Sequence, residues 1–269
     1  MYLDSEENQI AFLMTMVSTG NYLLISNNAF EKEIFKLIGH FGELKNDSGH
    51  DKEPPDFYSN DMDIMFDIYR VNDSEVRKSY NPTMIAERKM QREVEQSGFV
   101  EIVPQAVRNL TCCDKDWDSD ETHNISQYIK NVKRVTNEHL ASKAHPNKIR
   151  DIWVKKHPTI TRKGLVVFDE TENYFQGRCV FHSLGQWLFI GDASKPLTLY
   201  KPWMDKNILQ PIYESDCDFL IWFMPYKPFS QIQLVRYTKE GYFPIIAIMD
   251  TRSPRTEFIE YDYSKFTRV

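Results

Sequence analysis

The chain has 269 residues, a formal net charge of −6 and a calculated isoelectric point of about 5.7. Its 41% hydrophobic and 27% charged residues are ordinary for a soluble globular protein with a real core. Apolar runs such as residues 219–224 are much shorter than the about 20 residues that a membrane helix needs. The acidic start MYLDSEENQ lacks the basic region of a secretory signal, so we expect a protein that stays inside a cell.

The first half of the chain is mixed and contains helices. The apolar run IAFLMTMV is compatible with a strand or a helix. NNAFEKEIFKLIGHFG then carries Phe30, Ile34, Leu37 and Ile38 at helical spacing, after an asparagine suited to cap the helix. KNDSGHDKEPPD predicts a loop, and AERKMQREVEQSG predicts a helix that ends near Gly98.

An amphipathic helix is predicted for HNISQYIKNVKRVTNEHL. One face of this helix is apolar and the other is basic. The apolar face consists of Ile125, Tyr128, Ile129, Val132 and Val135.

The chain after residue 150 consists of short apolar segments separated by turn residues. These segments are DIWVK, GLVVFDE, RCVFHSL, QWLFIG, LTLYK, DFLIWFM, QIQLVRYT, FPIIAIMD and EFIEYDY. Their spacing indicates an antiparallel β-sandwich of jelly-roll type, and the lack of helix-length periodic segments argues against alternating βαβ units. We therefore predict an α+β protein with a helix-containing N-terminal extension at residues 1–122. Residues 123–269 are predicted to form the basic amphipathic helix and then the sandwich.

Charge is strongly segregated along the sequence. Residues 128–163 hold ten Lys and Arg and two acids, a net charge of +8, while residues 43–75 carry a net charge of −7. The two segments are expected to pair either within one subunit, which is the plainest explanation, or between subunits. The basic segment would also suit a nucleic-acid backbone, but the isoelectric point is well below that of a dedicated binder. The candidate assembly residues are Lys130, Lys133, Arg134, Arg150, Lys155, Lys156, Asp61, Asp63 and Asp67.

The sequence contains no recognisable catalytic motif. It has no glycine-rich phosphate loop, no H-E-x-x-H and no G-x-S-x-G. Asp169, Glu170 and Glu172, with Lys163 nearby, leave a metal-dependent nuclease as an alternative. We predict no catalytic residues, no cofactor and no metal.

The four cysteines do not form a metal-binding pattern. Cys179 and His182 give one half of a zinc-type pair without a second half, and as a nucleophile and base they would point to opposite faces of a strand. Thiols are expected to stay reduced inside a cell, although disulfides formed after assembly remain open. The residues concerned are Cys112, Cys113, Cys179 and Cys217.

Part of the chain resembles the polyhedrins and granulins, the matrix proteins of baculovirus occlusion bodies. YIKNVKRVTNEHLASKA is similar to the family's IKNAKRKKHFAEHEIEEA, and IRDIWVKKHPTITRKGLVVFDETENYF to its VKPDTMKLVVGWKGKEFY. DFLIWFMPYKP resembles a family strand that ends in M-R-P-T-R-P, with Lys227 at the arginine position. The resemblance covers roughly residues 125–230, and a divergent nudivirus relative would fit it.

The resemblance implies a jelly-roll trimer that packs into an intracellular crystal, shelters virions and dissolves at alkaline pH. In that family a K-R-K-K cluster is linked to entry into the host nucleus. Only Lys133 and Arg134 match this cluster. Occlusion bodies in the nucleus are the expected location, and the cytoplasm is the expected location without the resemblance.

An alkaline trigger follows from the composition. With reference pKa values, half of the 20 Lys and 14 Tyr and all four Cys would titrate by about pH 10.5, moving the net charge from −6 to about −27. The alternatives to a matrix protein are the nuclease and a soluble binding module, such as an inhibitor or immunity protein.

Overall fold

The described part of the chain is a mixed α+β fold. The computed structural model describes residues 5–18, 20, 22–47, 55–73, 124–140, 153–171, 174–176, 178–182, 186–190, 198–225 and 244–268, with the backbone alone for 175–176, 178–182, 186–190 and 267–268. Its helices are α1 (Glu6–Val17), α2 (Ala29–Ile38), α3 (Ile125–Leu140), α4 (Val154–Lys156) and α5 (Lys206–Tyr213). Its strands are β1 (Tyr22–Leu24), β2 (Lys45–Asn46), β3 (Phe57–Ser59), β4 (Ile64–Val71), β5 (Arg162–Asp169), β6 (Tyr174–Gln176), β7 (Arg178–His182), β8 (Gln186–Ile190), β9 (Thr198–Leu199), β10 (Phe219–Phe223), β11 (Ile246–Asp250) and β12 (Phe266–Arg268).

A seven-stranded sheet organises the molecule, in the order β1-β11-β10-β5-β4-β3-β2. The pairs β1–β11, β10–β5 and β4–β5 are parallel, and the other three pairs are antiparallel. The prediction of an antiparallel sheet is therefore wrong for this sheet, and a sandwich or jelly roll is not confirmed. Two smaller sheets, β12-β6-β9 and β7-β8, are antiparallel.

Helices connect the parallel strands. In the sequence α3 lies between β4 and β5, and α5 lies between β5 and β10, so the chain contains the βαβ order that the sequence argued against. All five residues of β10 are buried, as are the last six of β5, because helices cover both faces of the sheet. Helix α5 was missed because it is short and contains Pro211.

The two faces of the sheet have different chemistry. One face packs against α1 and α2 through a cluster rich in phenylalanine and isoleucine, and the other packs against α3 and α5 through tyrosine and tryptophan. The phenylalanines buried on the first face are Phe41, Phe57, Phe66, Phe168, Phe219 and Phe223. The rings buried on the second face are Tyr69, Tyr128, Tyr174, Tyr200, Trp153, Trp203 and Trp222, together with Phe266.

The helices predicted from periodicity agree with the structure. The side chain of Asn28 caps α2 by accepting a hydrogen bond from Glu31 N at 2.8 Å, and α3 runs from residue 125 to residue 140. GLVVFDE covers most of β5, and RCVFHSL, QWLFIG, LTLYK, DFLIWFM and FPIIAIMD contain β7, β8, β9, β10 and β11, respectively. The predicted helix AERKMQREVEQSG and strand QIQLVRYT lie outside the described residues.

Two predicted strands are wrong. In addition, the strands of the central sheet come from both sides of the predicted boundary between residues 122 and 123. DIWVK contributes to helix α4, and EFIEYDY forms an isolated bridge at Ile259 in place of a strand. Strands β4 and β5 pair over eight residues although one precedes and the other follows the predicted boundary between residues 122 and 123. The described parts of both predicted segments therefore share one core.

Replacement of Gly164 by alanine tests the packing of β5 against β10. A Cβ atom at Gly164 would overlap the ring of Phe219, its register partner, so we expect Gly164→Ala to lower the free energy of unfolding by about 1–3 kcal/mol. Chemical denaturation measures this change. Gly39→Ala is the control, because its added Cβ would meet Lys36 O at an ordinary 3.5 Å. Equal stabilities of the two variants would contradict the packing, and Phe219→Leu should partly rescue Gly164→Ala.

Candidate functional site

Some acids of the acidic segment, residues 43–75, form contacts inside the folded chain. Asp67 on β4 is only 1% exposed, and its Oδ2 lies 2.9 Å from Nδ1 of His139 on α3. Its Oδ1 accepts a hydrogen bond from Asp56 N at 3.2 Å, and the His139 ring stacks on Tyr69. This burial corrects the assignment of Asp67 to an assembly patch, because its carboxylate is not available to another molecule.

Two further acids pair with the C-terminal part of the basic segment. Asp47 accepts Lys156 Nζ at 3.0 Å. Asp63, which has a positive φ of 50°, accepts Thr161 N at 2.6 Å and lies 3.7 Å from Arg162 Nε. Pairing within one subunit is thus confirmed for these contacts, and they hold β2 and the β3–β4 turn against the approach to β5.

The helical part of the basic segment faces outward. Lys130, Lys133 and Arg134 are exposed on α3, opposite the face that packs on the sheet, and Lys155 is exposed on α4. Arg134 pairs with Glu138 one turn later, at 2.8 Å. In the part of the chain that the structure describes, Lys130, Lys133 and Lys155 form no ion pair. Lys130 and Lys155 are therefore cations of the basic segment that a partner can reach, and Lys133 is exposed as well but also acts electrostatically on the buried Asp205.

The remaining two charge-patch candidates have different outcomes. Asp61 is exposed in the β3–β4 turn, where it is accessible to another molecule. Arg150 lies outside the described residues. Hence the predicted patch divides into an internal set of ion pairs and an exposed set dominated by lysine.

Asp169, the residue of the nuclease alternative, is a structural acid. It is fully buried at the end of β5. Its Oδ2 accepts Tyr128 OH at 2.9 Å and Trp222 Nε1 at 2.8 Å, and its Oδ1 accepts the amide and hydroxyl of Thr171 at 3.0 and 2.6 Å. Four donors from the chain surround the carboxylate, so it has little capacity left for a catalytic metal.

The neighbours of Asp169 do not complete a metal site either. Glu170 forms an ion pair with Arg70, while Glu172 lies outside the described residues. Among the residues that the structure describes, no group of three His, Cys, Asp or Glu could hold a metal ion. In the described residues, Asp169 and Glu170 are therefore both engaged by partners within the chain.

Phenol–carboxylate hydrogen bonds recur beneath α3 and α5. Oδ2 of the buried Asp205 accepts the hydroxyls of Tyr200 and Tyr263, each at 2.6 Å, and its Oδ1 caps α5 through Asn207 N at 2.8 Å. Tyr174 OH donates to the buried Asp73 at 2.5 Å. With Tyr128 and Asp169, these contacts form what we call the tyrosine–aspartate network: Tyr128, Tyr174, Tyr200, Tyr263, Asp73, Asp169 and Asp205. The high number of tyrosines is visible in the sequence, but no sequence pattern indicates this pairing.

Burial keeps several of these phenols protonated into strong alkali. It raises the pKa of Tyr128 and of Tyr200 well above the usual value, and the negative charges of Asp169 and Asp205 add to the effect. Burial also raises the pKa values of Tyr69, Tyr213 and Tyr263. The charge change expected from reference values is therefore too large, because at least these five tyrosines of the folded chain ionise late.

Cys217 is a buried free thiol, which excludes it from the proposed disulfides in this structure. Burial raises its pKa to about 12, so this thiol also ionises later than the reference value implies. Cys112 and Cys113 lie outside the described residues, and for Cys179 the backbone alone is described.

A cavity of about 300 Å³ lies at the end of β1 and β11, away from the charged segments. Asp250 in its wall is engaged by Arg252 at 2.8 Å and by the amide of Asn28 at 2.9 Å. None of the candidate site residues predicted from the sequence lines this cavity. The lining residues are Ile25, Ser26, Asn28, Tyr213, Asp250, Ser253, Pro254, Arg255, Thr256 and Glu257.

Comparison with known proteins gives no relative. No family model matches the chain, and no match is found among curated proteins or solved structures. The resemblance to occlusion-body proteins therefore stays a prediction. Among the described residues, no helix is long and apolar enough to cross a membrane.

Asp169→Ala separates a structural from a catalytic role. Loss of the carboxylate leaves Tyr128 OH and Trp222 Nε1 buried without their acceptor, so we expect the free energy of unfolding to fall by at least about 3 kcal/mol. Chemical denaturation measures this loss, and Glu138→Ala, at an exposed ion pair, is the control with a change below about 1 kcal/mol. A stable Asp169→Ala protein that lost Mg²⁺-dependent plasmid nicking would instead support the nuclease.

Alkaline unfolding tests the buried phenols. Their pKa values are raised in the folded chain, so the stability they contribute is complete below the unfolded pKa of about 10 and is lost as pH rises above it. Each of Tyr69, Tyr128 and Tyr200 should lower the free energy of unfolding by about 1.4 kcal/mol per pH unit in that range.

Denaturation curves at pH 8 and pH 11 measure this effect. Tyr69→Phe removes one titrating phenol and leaves the acids of the network untouched. The free energy of unfolding of this variant should therefore fall less steeply with pH, by the contribution of one proton. An unchanged slope in Tyr69→Phe, or equal wild-type stability at both pH values, would contradict the prediction.

Proposed function

We propose that this chain is a structural protein that assembles with copies of itself, as the matrix of a viral occlusion body, and is released by alkali. The observation that carries the proposal is the set of exposed lysines on α3 and α4. Lys130, Lys133 and Lys155 form no ion pair in the described ranges, whereas Asp47, Asp63 and Asp67 of the acidic segment pair within the chain. A non-catalytic role is also supported by the internal use of Asp169.

A second copy of the chain is the partner that the charges favour. The whole chain carries −6, so another copy presents an acidic surface to these lysines, and Asp61 is one exposed acid that a contact could use. Complementary charge fixes orientation and partner choice more than it adds affinity. Contacts between different patches of successive copies extend an assembly without closing it, as a lattice requires.

The resemblance supplies the finer features of the proposal. These are trimers packed in a crystal, embedded virions and a location in the nucleus of an infected cell. The jelly roll that the resemblance implies is left out of the proposal, because three pairings of the central sheet are parallel. The proposed function therefore depends on the surface charge of the chain and on its response to alkali, and it does not require the family's fold.

Release by alkali is supported by two groups of residues. The reference pKa of a lysine side chain is about 10.4, and loss of a lysine's charge removes its attraction to an acidic neighbour. Above about pH 10 the buried tyrosines also begin to destabilise the fold. Both effects act in the same direction and over an overlapping pH range.

Reversal of charge on α3 tests the proposed contact. We expect Lys130→Glu with Lys133→Glu to raise the concentration needed for assembly at pH 7 by about tenfold or more, as loss of about 1.4 kcal/mol of attraction would. Light scattering against protein concentration measures this threshold, and wild-type particles should clear above about pH 10.

The control has the same charge change on the opposite side of the sheet. Lys32→Glu with Lys36→Glu alters two exposed lysines of α2 and should leave the threshold much closer to wild type. Equal effects of the two double variants would show that net charge, and not the α3 face, matters. A wild-type protein that stays monomeric at the highest attainable concentration would overturn the proposed function.

A further inference from the structure

Two buried polar atoms close together in the sequence have no hydrogen-bond partner in the chain. Trp153 is fully buried, and its indole Nε1 has no acceptor. The buried Nε2 of His157 likewise forms no hydrogen bond. Buried polar groups are nearly always satisfied in native proteins, so the pair requires an explanation.

Trp153 and His157 flank the short helix α4. His157 N donates to Trp153 O at 2.8 Å, which places the residues one helical turn apart around α4. Side chains four residues apart on a helical turn are neighbours. The His157 ring is held by stacking on Tyr58 with 3.9 Å between centroids, and Tyr58 packs against the core cluster that contains Trp153.

A carboxylate lies just beyond direct reach. Asp47 Oδ2 is 4.0 Å from His157 Nε2, too far for a hydrogen bond, while Lys156 Nζ contacts the same oxygen at 3.0 Å. A polar separation of this size is the one that a bridging water spans.

We propose that Trp153, His157 and Asp47 form a binding site for one water-sized hydroxylic molecule, a water in the native protein. This molecule accepts the indole N–H of Trp153 and donates to His157 Nε2, with Asp47 within reach of its second proton. A metal ion does not fit the same groups, because an indole N–H is not a ligand and the Lys156 ammonium already occupies the carboxylate.

The protonation state of His157 agrees with this assignment. Burial lowers the pKa of His157, so the ring is neutral at pH 7 and has one nitrogen that accepts a hydrogen bond. The bridging water would link α4 to the end of β2 and so position the segment that carries Lys155. The proposed water site depends only on these contacts and does not require self-assembly.

Water contacts of the tryptophan side chains test the site by NMR. In protein labelled with ¹⁵N-tryptophan, the Trp153 indole proton should show a cross-peak to a bound water, assigned through backbone connectivity so that no variant is required. Trp222 is the matched control, because its buried indole donates directly to Asp169 at 2.8 Å and should show no such cross-peak.

A second measurement asks whether His157 takes part. His157→Phe keeps a ring against Tyr58 but removes Nε2, so the water cross-peak of Trp153 should disappear or weaken because the water loses one hydrogen-bond partner. No water contact at Trp153 in the wild type would overturn the proposal. An undiminished contact in a folded His157→Phe variant would overturn it as well.

Discussion

The buried carboxylate of Asp169 is the contact on which the architecture depends most. It joins three elements, since it terminates β5, accepts the phenol of Tyr128 on α3 and accepts the indole of Trp222 on β10. These elements belong to both βαβ connections of the central sheet. A buried charge is tolerated only when its hydrogen bonds are satisfied, so the carboxylate requires all three elements to be placed correctly. The oxygens of Asp169 accept hydrogen bonds that hold the fold together. An acid at a strand end is therefore not by itself evidence for catalysis.

The need to satisfy buried polar atoms with hydrogen bonds also explains why the two faces of the sheet differ. Under α1 and α2 the core is mostly hydrocarbon, whose burial has no dependence on pH. Under α3 and α5 the packing rings are phenols and indoles that bring polar atoms inside, and aspartates supply the acceptors. The second face therefore combines apolar packing with titratable bonds, and alkali acts on it selectively. A high tyrosine content thus has a structural use on this face before any role in assembly is considered.

Local signals in the sequence predict local structure, and they do not predict how strands pair. Asn28 before an apolar stripe predicts α2, and the spacing of Ile125, Tyr128, Ile129 and Val132 predicts α3, because capping and periodicity involve neighbouring residues. The parallel pairing of β4 and β5 joins residues nearly one hundred positions apart, and strand β4 is concealed within an acid-rich stretch. The charge segregation was visible in the sequence, whereas the internal partners of Asp63 and Asp67 depend on that long-range pairing. For the same reason the tyrosine–aspartate network could not be predicted.

If the chain assembles as proposed, its surface and its interior respond to alkali in a defined order. Contacts between copies exist only for the folded chain, so assembly stabilises that state by mass action and delays unfolding. The lysines of α3 are exposed, whereas burial raises the pKa of Tyr128 and of Tyr200 well above the usual value. The tyrosines begin to destabilise the fold above about pH 10, their pKa in the unfolded chain, but contacts between copies oppose this loss for as long as the assembly persists. Unfolding follows only once the stabilisation by neighbours is gone, so a matrix of this protein would dissolve into folded subunits just above pH 10 and into unfolded chains at higher pH.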